Sequence, residues 1–504
     1  MSVMIEALIA LCLVGAAAVF VAPDEWAPTL SFGWSLLPLV LSVLMYLGFD
    51  ASGNALLTDG QLAYETTVQW LSLGPYALSW HVGLDGVAMP LVVLTTLLTT
   101  LSILSAWTPI DARKSQFYGL MLFMEASLVG VFAALDFFVW FVFWEGVLVP
   151  MYFLVGIWGG PRRKYAAIKF FIYTNIASLV LFIGFFGLVF GLGDSISTLD
   201  MPAIAQALRA GELGGLGPFS ASQVASLAFL AMFVGFAVKV PVVPFHTWLP
   251  DAHVEAPTPV SVVLAGVLLK MGTYALLRFN FTMLPGVAQQ YAVYIALFAV
   301  VSVVYGALLA LAQSDLKRIV AYTTYGFGGA TFQMISHGLI SGLLFLCVGV
   351  IYNTTHTRMV GDMSGLADRM PWTVGAFVAG AFAYMGLPLM SGFAAEFYVF
   401  VGSFPSPFLP GSELFTALAM FGIVIVAGYL LWAMQRTLFG AFRCETDYEV
   451  VPAQLHDVVP LVVLVAFIIA LGTFPDIFFT MIQDAVNPVL PEGGSTFEAF
   501  GGGL

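Results

Sequence analysis

The sequence predicts an all-α polytopic membrane protein with 13–14 transmembrane helices. Composition is the first observation: of the 504 residues, 60% are hydrophobic and only 9% are charged, and the mean hydropathy is +0.98. A soluble domain of ordinary composition carries about 25% charged residues. The second observation is that apolar stretches of the length needed to cross a bilayer, about 20 residues, recur along the whole chain. Together these observations exclude a large water-soluble domain.

Thirteen apolar stretches are predicted to be spans, and two of them are interrupted. The stretches are residues 2–22, 30–49, 81–107, 116–134, 137–157, 166–192, 222–244, 257–280, 288–312, 330–352, 372–403, 412–435 and 457–475. The stretch 222–244 ends in KVPVVP, and GLPLMSG divides the stretch 372–403. Helices broken at membrane depth are tolerated where they line a cavity, and transporters build ion sites around them. The two breaks therefore mark the region where a site is expected.

Basic residues in the loops predict the orientation of the chain. They cluster after spans three, five and nine, in the groups Arg113/Lys114, Arg162/Arg163/Lys164 and Lys317/Arg318. The positive-inside rule places these loops in the cytoplasm and the N-terminus outside. The N-terminal stretch lacks a basic segment and an A-x-A cleavage site, which predicts a first span and not a signal peptide.

After span nine the alternation of sides fails. Thirteen spans would put the later basic clusters outside, and these clusters are Arg358/Arg369 and Arg436/Arg443. One further crossing between Arg318 and Thr331 would restore the rule, but the residues there, IVAYTTYGFGGA, are too few for a full span. The charge pattern therefore predicts a shortened or missing element at this point.

Five ionisable side chains lie deep in apolar helical stretches, and they are Glu125, Glu145, Lys239, Lys270 and Glu396. A charge at the centre of a bilayer costs about 2.5–3.5 kcal/mol on insertion scales, so such residues usually mark ion paths. A sixth candidate is His337, which lies within a span and belongs to the residue type that exchanges protons near neutral pH. Because acids and lysines are mixed, protons are the expected cargo.

Each candidate also has a structural interpretation without transport. A buried glutamate can be protonated and bonded to a neighbour, a lysine can extend to the membrane interface, and Glu396 has a short apolar flank typical of an interfacial acid. Lys270 lies some thirteen residues inside its helix, which is too deep for an easy extension to the interface. The transport interpretation is therefore favoured for Lys270 above the others.

No cofactor is predicted for this chain. Its three cysteines are scattered and form no zinc or iron–sulfur spacing, and no strand-borne GxGxxG indicates a dinucleotide site. A net charge of −13 does not point to nucleic acid. The acidic loops and tail fit the high-salt cytoplasm of a halophile, but they fit other habitats too.

Several long motifs resemble one family. The longest is VKVPVVPFHTWLPDAHVEAPTPVSVVLAGVLLKMGTYALLRF at 238–279. Further segments are FWEGVLVPMYFLVGIWGGPRRKYAAIKFFIYT at 143–174, AQSDLKRIVAYT at 312–323, FQMISHGLISGLLF at 332–345 and GLPLMSGFAAEFYVFVGSF at 386–404. They resemble the antiporter-like subunits of proton-pumping NADH–quinone oxidoreductase, complex I. The acid at Glu396 favours the M type, because the sister types usually have a lysine there.

The resemblance implies a fold and its division into parts. The family fold has fourteen helices with two five-helix repeats of inverted topology, each containing a broken helix. On this pattern, residues 1–115 are N-terminal helices, 116–280 the first repeat, 288–435 the second repeat, and 436–504 a C-terminal helix and tail. The implied partners are other membrane subunits of complex I, the lipid bilayer and protons, in the plasma membrane of a prokaryote.

The resemblance also implies roles for the candidate residues. Glu145 resembles the acid that pairs with and tunes Lys239, the lysine of the first broken helix. Lys270 resembles the central lysine that passes the proton onward, and Glu396 resembles the exit-side residue. Glu125 matches a further acid of the fourth helix. The redox reaction is then expected in other subunits, with this chain responding to it.

One departure from the family pattern leaves alternatives open. A whole tenth helix with a relay histidine is expected between AYT and FQMISHGL, and here it is truncated near 319–330. Either the second half of the path is rebuilt, or about a helix of sequence has been lost, which is favoured because one missing helix would invert everything after it. Rival functions are a subunit of a multisubunit cation/proton antiporter and a non-transporting assembly subunit.

Overall fold

The computed structural model describes residues 3–57, 60–323, 331–404, 406, 409–445 and 453–489. Helices account for most of these residues. Those of the first half are α1 Met4–Val21, α2 Ala27–Leu47, α3 Ala88–Ser105, α4 Lys114–Ala133, α5 Phe137–Gly146, α6 Leu148–Trp158, α7 Arg163–Leu192, α8 Met201–Arg209, α9 Ala221–Lys239 and α10 Trp248–Glu255. Those of the second half are α11 Thr258–Val263, α12 Leu269–Ala275, α13 Pro285–Gln290, α14 Ala292–Leu311, α15 Leu316–Thr323, α16 Thr331–Thr355, α17 Pro371–Tyr384, α18 Ser391–Ser403, α19 Ser412–Thr437, α20 Leu455–Thr473 and α21 Asp476–Val486.

Twelve spans in the described part of the chain are long and apolar enough to cross a membrane. With the broken pair α17 and α18, they coincide with the thirteen predicted stretches, so the polytopic all-helical prediction is confirmed. One of the twelve, residues 258–282, is continuous but contains two π-helical segments, Leu264–Leu268 and Leu276–Thr282. Another, residues 137–158, is interrupted after Gly146, where α5 ends.

A β-hairpin at one end of the bundle was not predicted. Strands β1 Ala63–Leu73 and β2 Tyr76–Leu84 pair antiparallel around a turn with Gly74 at a φ of 61°. The third span consequently begins at Ala88 and not near residue 81. A second, two-residue pairing joins β3 Met363–Ser364 to β4 Arg443–Cys444.

The core of the bundle lies around α3, which is buried along its whole length, and α16, which is buried along most of its length. Helices α14 and α19 instead leave most of their side chains at least partly exposed, as expected of helices that face lipid. Side chains from α2, α4, α11 and α20 cover α3, and α11, α17 and α20 cover α16. The predicted site residues of α12 and α16 therefore face the interior of the protein.

Helices α14 and α16 run in the same direction. Asp315, just beyond the end of α14, forms an ion pair of 2.8 Å with Arg358, just beyond the end of α16. The start of α16 lies at the opposite end of the bundle, where Phe332 packs edge-on against Phe479 of α21. The described chain therefore continues from α14 into α15 at one end of the bundle and begins α16 at the other end.

The basic clusters consequently meet at one end, which we assign to the cytoplasm. Three of them converge on the end of α10: Arg162 N donates to Glu255 Oε2 (2.8 Å), Lys317 Nζ donates to Ala256 O (2.6 Å), and Arg358 Nη1 donates to Val254 O (3.1 Å). The spans after α14 are therefore not inverted, because the side changes between α14 and α16. Residues 324–330, where most of the truncation was predicted, lie outside the described residues.

Candidate functional site

A buried contact between Lys270 and His337 forms the centre of the site. Lys270 Nζ lies 2.5 Å from His337 Nδ1 and donates to Ala265 O at 2.5 Å. On the other side of the imidazole, Tyr384 Oη lies 3.2 Å from Nε2. With the proton on Nε2, the ring accepts from Lys270 and donates to Tyr384. Three titratable groups are thus connected, and both Lys270 and His337 are at most 4% exposed.

Local helix geometry presents Lys270 to His337. The π-helical segment Leu264–Leu268 immediately precedes α12, and a carbonyl within it, that of Ala265, accepts from the lysine. π-Helical turns of this kind are frequent at functional sites. On the other side, α16 approaches closely because Gly338 faces Gly266, so that a Cβ on Gly338 would lie 2.7 Å from Gly266 O. Small residues at such crossings let two transmembrane backbones come together.

The second broken helix lies next to this centre. Tyr384 is the last residue of α17, and Ser391, the first residue of α18, accepts from Ser336 Oγ at 2.9 Å. Glu396 lies one turn further along α18, with its carboxylate against Gly386 in the break. Gly386 has a φ of 66°, which glycine adopts without strain. The break therefore makes room for a buried carboxylate.

A cavity of about 330 Å³ connects Glu396 to the first broken helix. Its lining is mostly apolar but includes polar side chains of Thr273, Gln333 and Ser302. Val240, which follows Lys239 at the first break, lines the same cavity. The two breaks therefore open onto one space, and Glu396 is part of its wall.

Lys239 and Glu145 lie near each other but do not form a direct ion pair. Lys239 Nζ sits over the ring of Trp144, 4.8 Å from its centroid, and Glu145 is close enough to act electrostatically on the ammonium group. Neither Lys239 Nζ nor Glu145 Oε1 has a hydrogen-bond partner among the described residues. Trp144 donates to Ser178 Oγ at 3.0 Å, which fixes the ring under the lysine. Glu145 and Lys239 are thus electrostatic neighbours, and the ammonium group is held by a cation–π contact with Trp144.

Glu125 occupies a separate position between α4 and α1. It is fully buried and lies beside the thiol of Cys12. Apart from this thiol, its carboxylate oxygens have no hydrogen-bond partner among the described residues, and the structure does not join Glu125 to Lys270 or Glu396. Its predicted role in the path therefore stays a prediction.

Two further charged clusters lie at the outer end of the bundle. His81 of the hairpin contacts Asp200 (2.5 Å) and Glu65 (3.1 Å). Burial lowers the pKa of His81, but the two carboxylates outweigh burial and raise the pKa above its ordinary value. Arg278 forms a 2.6 Å ion pair with Asp85, which also accepts from backbone N–H groups at the start of α3. These clusters tie the outer loops to the helices.

The structure therefore brings some of the predicted residues together and leaves others apart. Lys270 and His337 touch, Glu396 lies across the second break, Lys239 and Glu145 are neighbours at the first break, and Glu125 is apart. Tyr384 was missed, because a tyrosine within a span carries little signal of its own. Among the described residues, no group of three or more His, Cys, Asp or Glu side chains is arranged to hold a metal ion.

Comparisons with known proteins place this arrangement in a family. The family model described as NADH:quinone oxidoreductase/Mrp antiporter, TM, matches residues 134–425. F(420)H(2) dehydrogenase subunit M of Methanosarcina mazei is 39% identical over 444 residues, which cover 84% of this chain and 85% of that protein. NADH-quinone oxidoreductase subunit M of Rhodobacter capsulatus is 35% identical over 491 residues, which cover 93% of this chain and 90% of that protein.

A solved structure agrees with these relatives. The fold matches a chain of respiratory complex I from Thermus thermophilus with bound NADH, with a TM-score of 0.82, 25% identity and coverage of 100% of both chains. The family match spans both broken helices and the Lys270–His337 contact. This chain therefore belongs to the NADH:quinone oxidoreductase/Mrp antiporter family of membrane proteins.

Proposed function

We propose that this chain is the proton-translocating membrane subunit of a respiratory quinone oxidoreductase. The observation that carries the proposal is the buried contact of Lys270, His337 and Tyr384 between the two broken helices. Lysine and histidine each bind and release a proton, and a nitrogen–nitrogen distance of 2.5 Å is within reach of direct transfer. Transporters of other families likewise build their ion sites at broken helices.

The proposed path runs from the first break to the second. A change in a neighbouring subunit alters the interaction between Glu145 and Lys239, and Lys239 then releases or recruits a proton. The proton passes to Lys270 and His337, and Glu396 releases it toward the outer side. An opposite charge within about 4–6 Å changes proton affinity by roughly 1.4–4 kcal/mol, and moving a unit charge against 100 mV takes about 2.3 kcal/mol. The electrostatic steps are therefore of the size that pumping requires.

The redox reaction belongs, in this proposal, to partner subunits of the same complex. The chain supplies no redox step and acts as the translocating part of the enzyme, in the plasma membrane of a prokaryote. Relatives carry the names of NADH and F(420)H(2) oxidoreductases, so either reduced cofactor is a candidate donor for the complex. Other membrane subunits would pack on its exposed helices.

A gradient-driven cation/proton exchanger is the second candidate, because the description of the family model includes Mrp antiporters. Quinone oxidoreductase subunits that are 35–39% identical over most of the chain favour the first candidate. Inverted vesicles separate the two. A pump acidifies the vesicle lumen when the donor and quinone are added, whereas an exchanger responds to a pulse of Na⁺ without them.

The substitution His337→Gln tests the proposal. Glutamine retains hydrogen-bonding capacity but cannot take up a proton, so we expect donor-driven dye quenching in inverted vesicles to fall by roughly tenfold or more at equal content of assembled complex. The matched control is His356→Gln, at an exposed histidine beyond the end of α16. Normal pumping by His337→Gln would refute the proposed path.

A further inference from the structure

His253 is a buried histidine that the path described above does not use. It lies on α10, the short helix after the first break, and is 0% exposed. Its ring stacks on Phe345 of α16, with centroids 4.6 Å apart and an interplanar angle of 16°. Neither ring nitrogen has a hydrogen-bond partner among the described residues. A buried imidazole of this kind is costly, so its retention in the core calls for an explanation.

Two lysines lie within electrostatic range of this ring. Lys270 contacts His337 of α16, and His253 stacks on Phe345 further along the same helix. Lys317 binds Ala256 O at the cytoplasmic end, so His253 lies between the two lysines along the bundle. Lys317 is only 6% exposed, and its Nζ donates to Ala256 O, one residue beyond the end of α10, at 2.6 Å. The charged groups that act on Lys317 are Arg358, Asp315 and Glu255, all at the cytoplasmic end.

We infer that Lys317 and His253 form the cytoplasmic inlet through which protons reach Lys270. This inference rests on the proposed function and adds a route by which the central lysine takes up protons from the cytoplasm, beside the transfer from Lys239. Neither ring nitrogen of His253 is in hydrogen-bond contact with a lysine, so each transfer passes through an intervening water molecule. The Lys317 ammonium gives a proton through water to a ring nitrogen of His253, and the resulting imidazolium gives a proton through water to the Lys270 amine. Lys317 regains its proton from cytoplasmic water, so charge and protons balance at each step.

The two cations at the end of α10 have different chemistry. Arg358 donates to Val254 O and pairs with Asp315, and a guanidinium stays protonated, so this arginine holds the helix end in place. Lys317 donates to the neighbouring carbonyl, but a buried ammonium can release its proton. Cations are favourable at a helix C-terminus. The alternative to proton transfer is therefore that Lys317 only stabilises the end of α10.

Substitutions in the assembled complex separate the two interpretations. Lys317→Arg keeps a cation beside Ala256 O but cannot release a proton, and His253→Gln keeps a polar side chain that cannot carry one. We expect both to lower donor-driven pumping and quinone reduction by roughly tenfold or more at equal complex content. Matched controls are Lys164→Arg and His356→Gln, both at exposed cytoplasmic positions, and these are expected to stay near wild type.

Chemical rescue provides a second test, because a lysine with a purely structural role would not be replaced by added imidazole. In Lys317→Ala, imidazole added to inverted vesicles reaches the cytoplasmic face and can deliver protons to His253. We expect imidazole to restore quinone reduction in this variant. The rate is measured with an uncoupler present, so that any effect of imidazole on the pH gradient does not change it. The double variant Lys317→Ala/His253→Gln should not respond.

The outcomes distinguish the inlet from the path itself. Wild-type rates in Lys317→Arg or in His253→Gln would overturn the inlet, because each removes one of its two proton carriers. Loss of pumping in Lys317→Ala without rescue by imidazole would also overturn it and leave Lys317 as a helix cap. If His337→Gln pumps normally, the proposed path fails, whatever the inlet variants show.

Discussion

Lys270 is positioned by the backbone as much as by side chains. The π-helical segment before it contains the carbonyl that accepts from its Nζ, and the imidazole of His337 approaches from another helix. Its position deep in a long apolar stretch was sufficient to identify Lys270 as a candidate site residue from the sequence. Its contact with His337 could not be predicted in the same way, because 67 residues separate the two in the chain.

The Glu145–Lys239 pair shows that the sequence does not determine whether two particular side chains make a direct contact. The family resemblance predicted that the two would interact, and the structure places them as electrostatic neighbours. Whether two side chains meet directly depends on their rotamers and on what lies between them, and here the ammonium rests on Trp144. Neither fact is encoded in the local pattern of apolar residues.

His81 gives a prediction at the residue scale. Its raised pKa means that the protonated ring stabilises the folded hairpin, so this stabilisation is fully present below the ordinary pKa of 6.5 and is lost as the pH rises through the raised value. We predict that the wild-type protein has a higher thermal midpoint than His81→Gln near pH 6. The difference should shrink as the pH is raised toward 9.

Detergent-solubilised protein with a fluorescent unfolding probe provides the measurement, and His356→Gln is the control because that histidine is exposed. A difference in thermal midpoint that grows with pH would contradict the assignment. The carboxylates of Asp200 and Glu65 must remain ionised, so the comparison is made above about pH 5.

At the scale of elements, the crossing of α16 over the span 258–282 determines whether Lys270 meets His337. We predict that Gly338→Ala separates them, because the added Cβ would lie 2.7 Å from both Gly266 O and a methyl of Leu94. Overpacking of this kind costs about 1–3 kcal/mol. Pumping per assembled complex should therefore fall, together with the thermal midpoint.

Gly375→Ala is the matched control for this substitution. Gly375 also lies in a helix of the second half, α17, but a Cβ there would meet nothing within 4 Å. We expect Gly375→Ala to assemble and pump as the wild type does. Equal behaviour of the two alanine variants would show that the close approach of the helices does not matter.

The elements were predicted unevenly, for a physical reason. A span is recognised in the sequence by about 20 apolar residues, and all thirteen predicted stretches correspond to helical elements in the structure. The hairpin was missed because an exposed two-stranded ribbon carries a weak pattern, and its second strand runs into the apolar third span. Similarly, α10 is only eight residues long, so its burial of His253 could not be inferred from the sequence.

At the scale of the whole molecule, the charge distribution and the fold agree on orientation. Lys317 and Arg358 both bind the end of α10, although Lys317 follows span nine and Arg358 follows span ten. The positive-inside rule therefore holds for both clusters. The sequence showed that the alternation of basic loops fails after span nine. Counting residues could not show that the chain changes sides between α14 and α16.

Labelling of single cysteines tests this topology. Cys444 follows Arg443 at the cytoplasmic end and is partly exposed, whereas Cys12 and Cys347 are buried and are replaced by alanine. We predict that Cys444 reacts with a membrane-impermeant maleimide in inverted vesicles but not in intact cells. A cysteine at Ser72, exposed near the hairpin turn, should react with the opposite preference. Labelling of Cys444 from outside would mean that the short segment does not cross.

The most direct test of proton translocation through this chain is Lys270→Arg. Arginine keeps the positive charge but does not release a proton at neutral pH, so a structural cation would be preserved and a relay would stop. The measurement is donor-driven pumping and quinone reduction in inverted vesicles, normalised to assembled complex, with Lys164→Arg as the control. We predict normal assembly with both rates reduced by roughly tenfold or more. Rates near those of the wild type would contradict the relay.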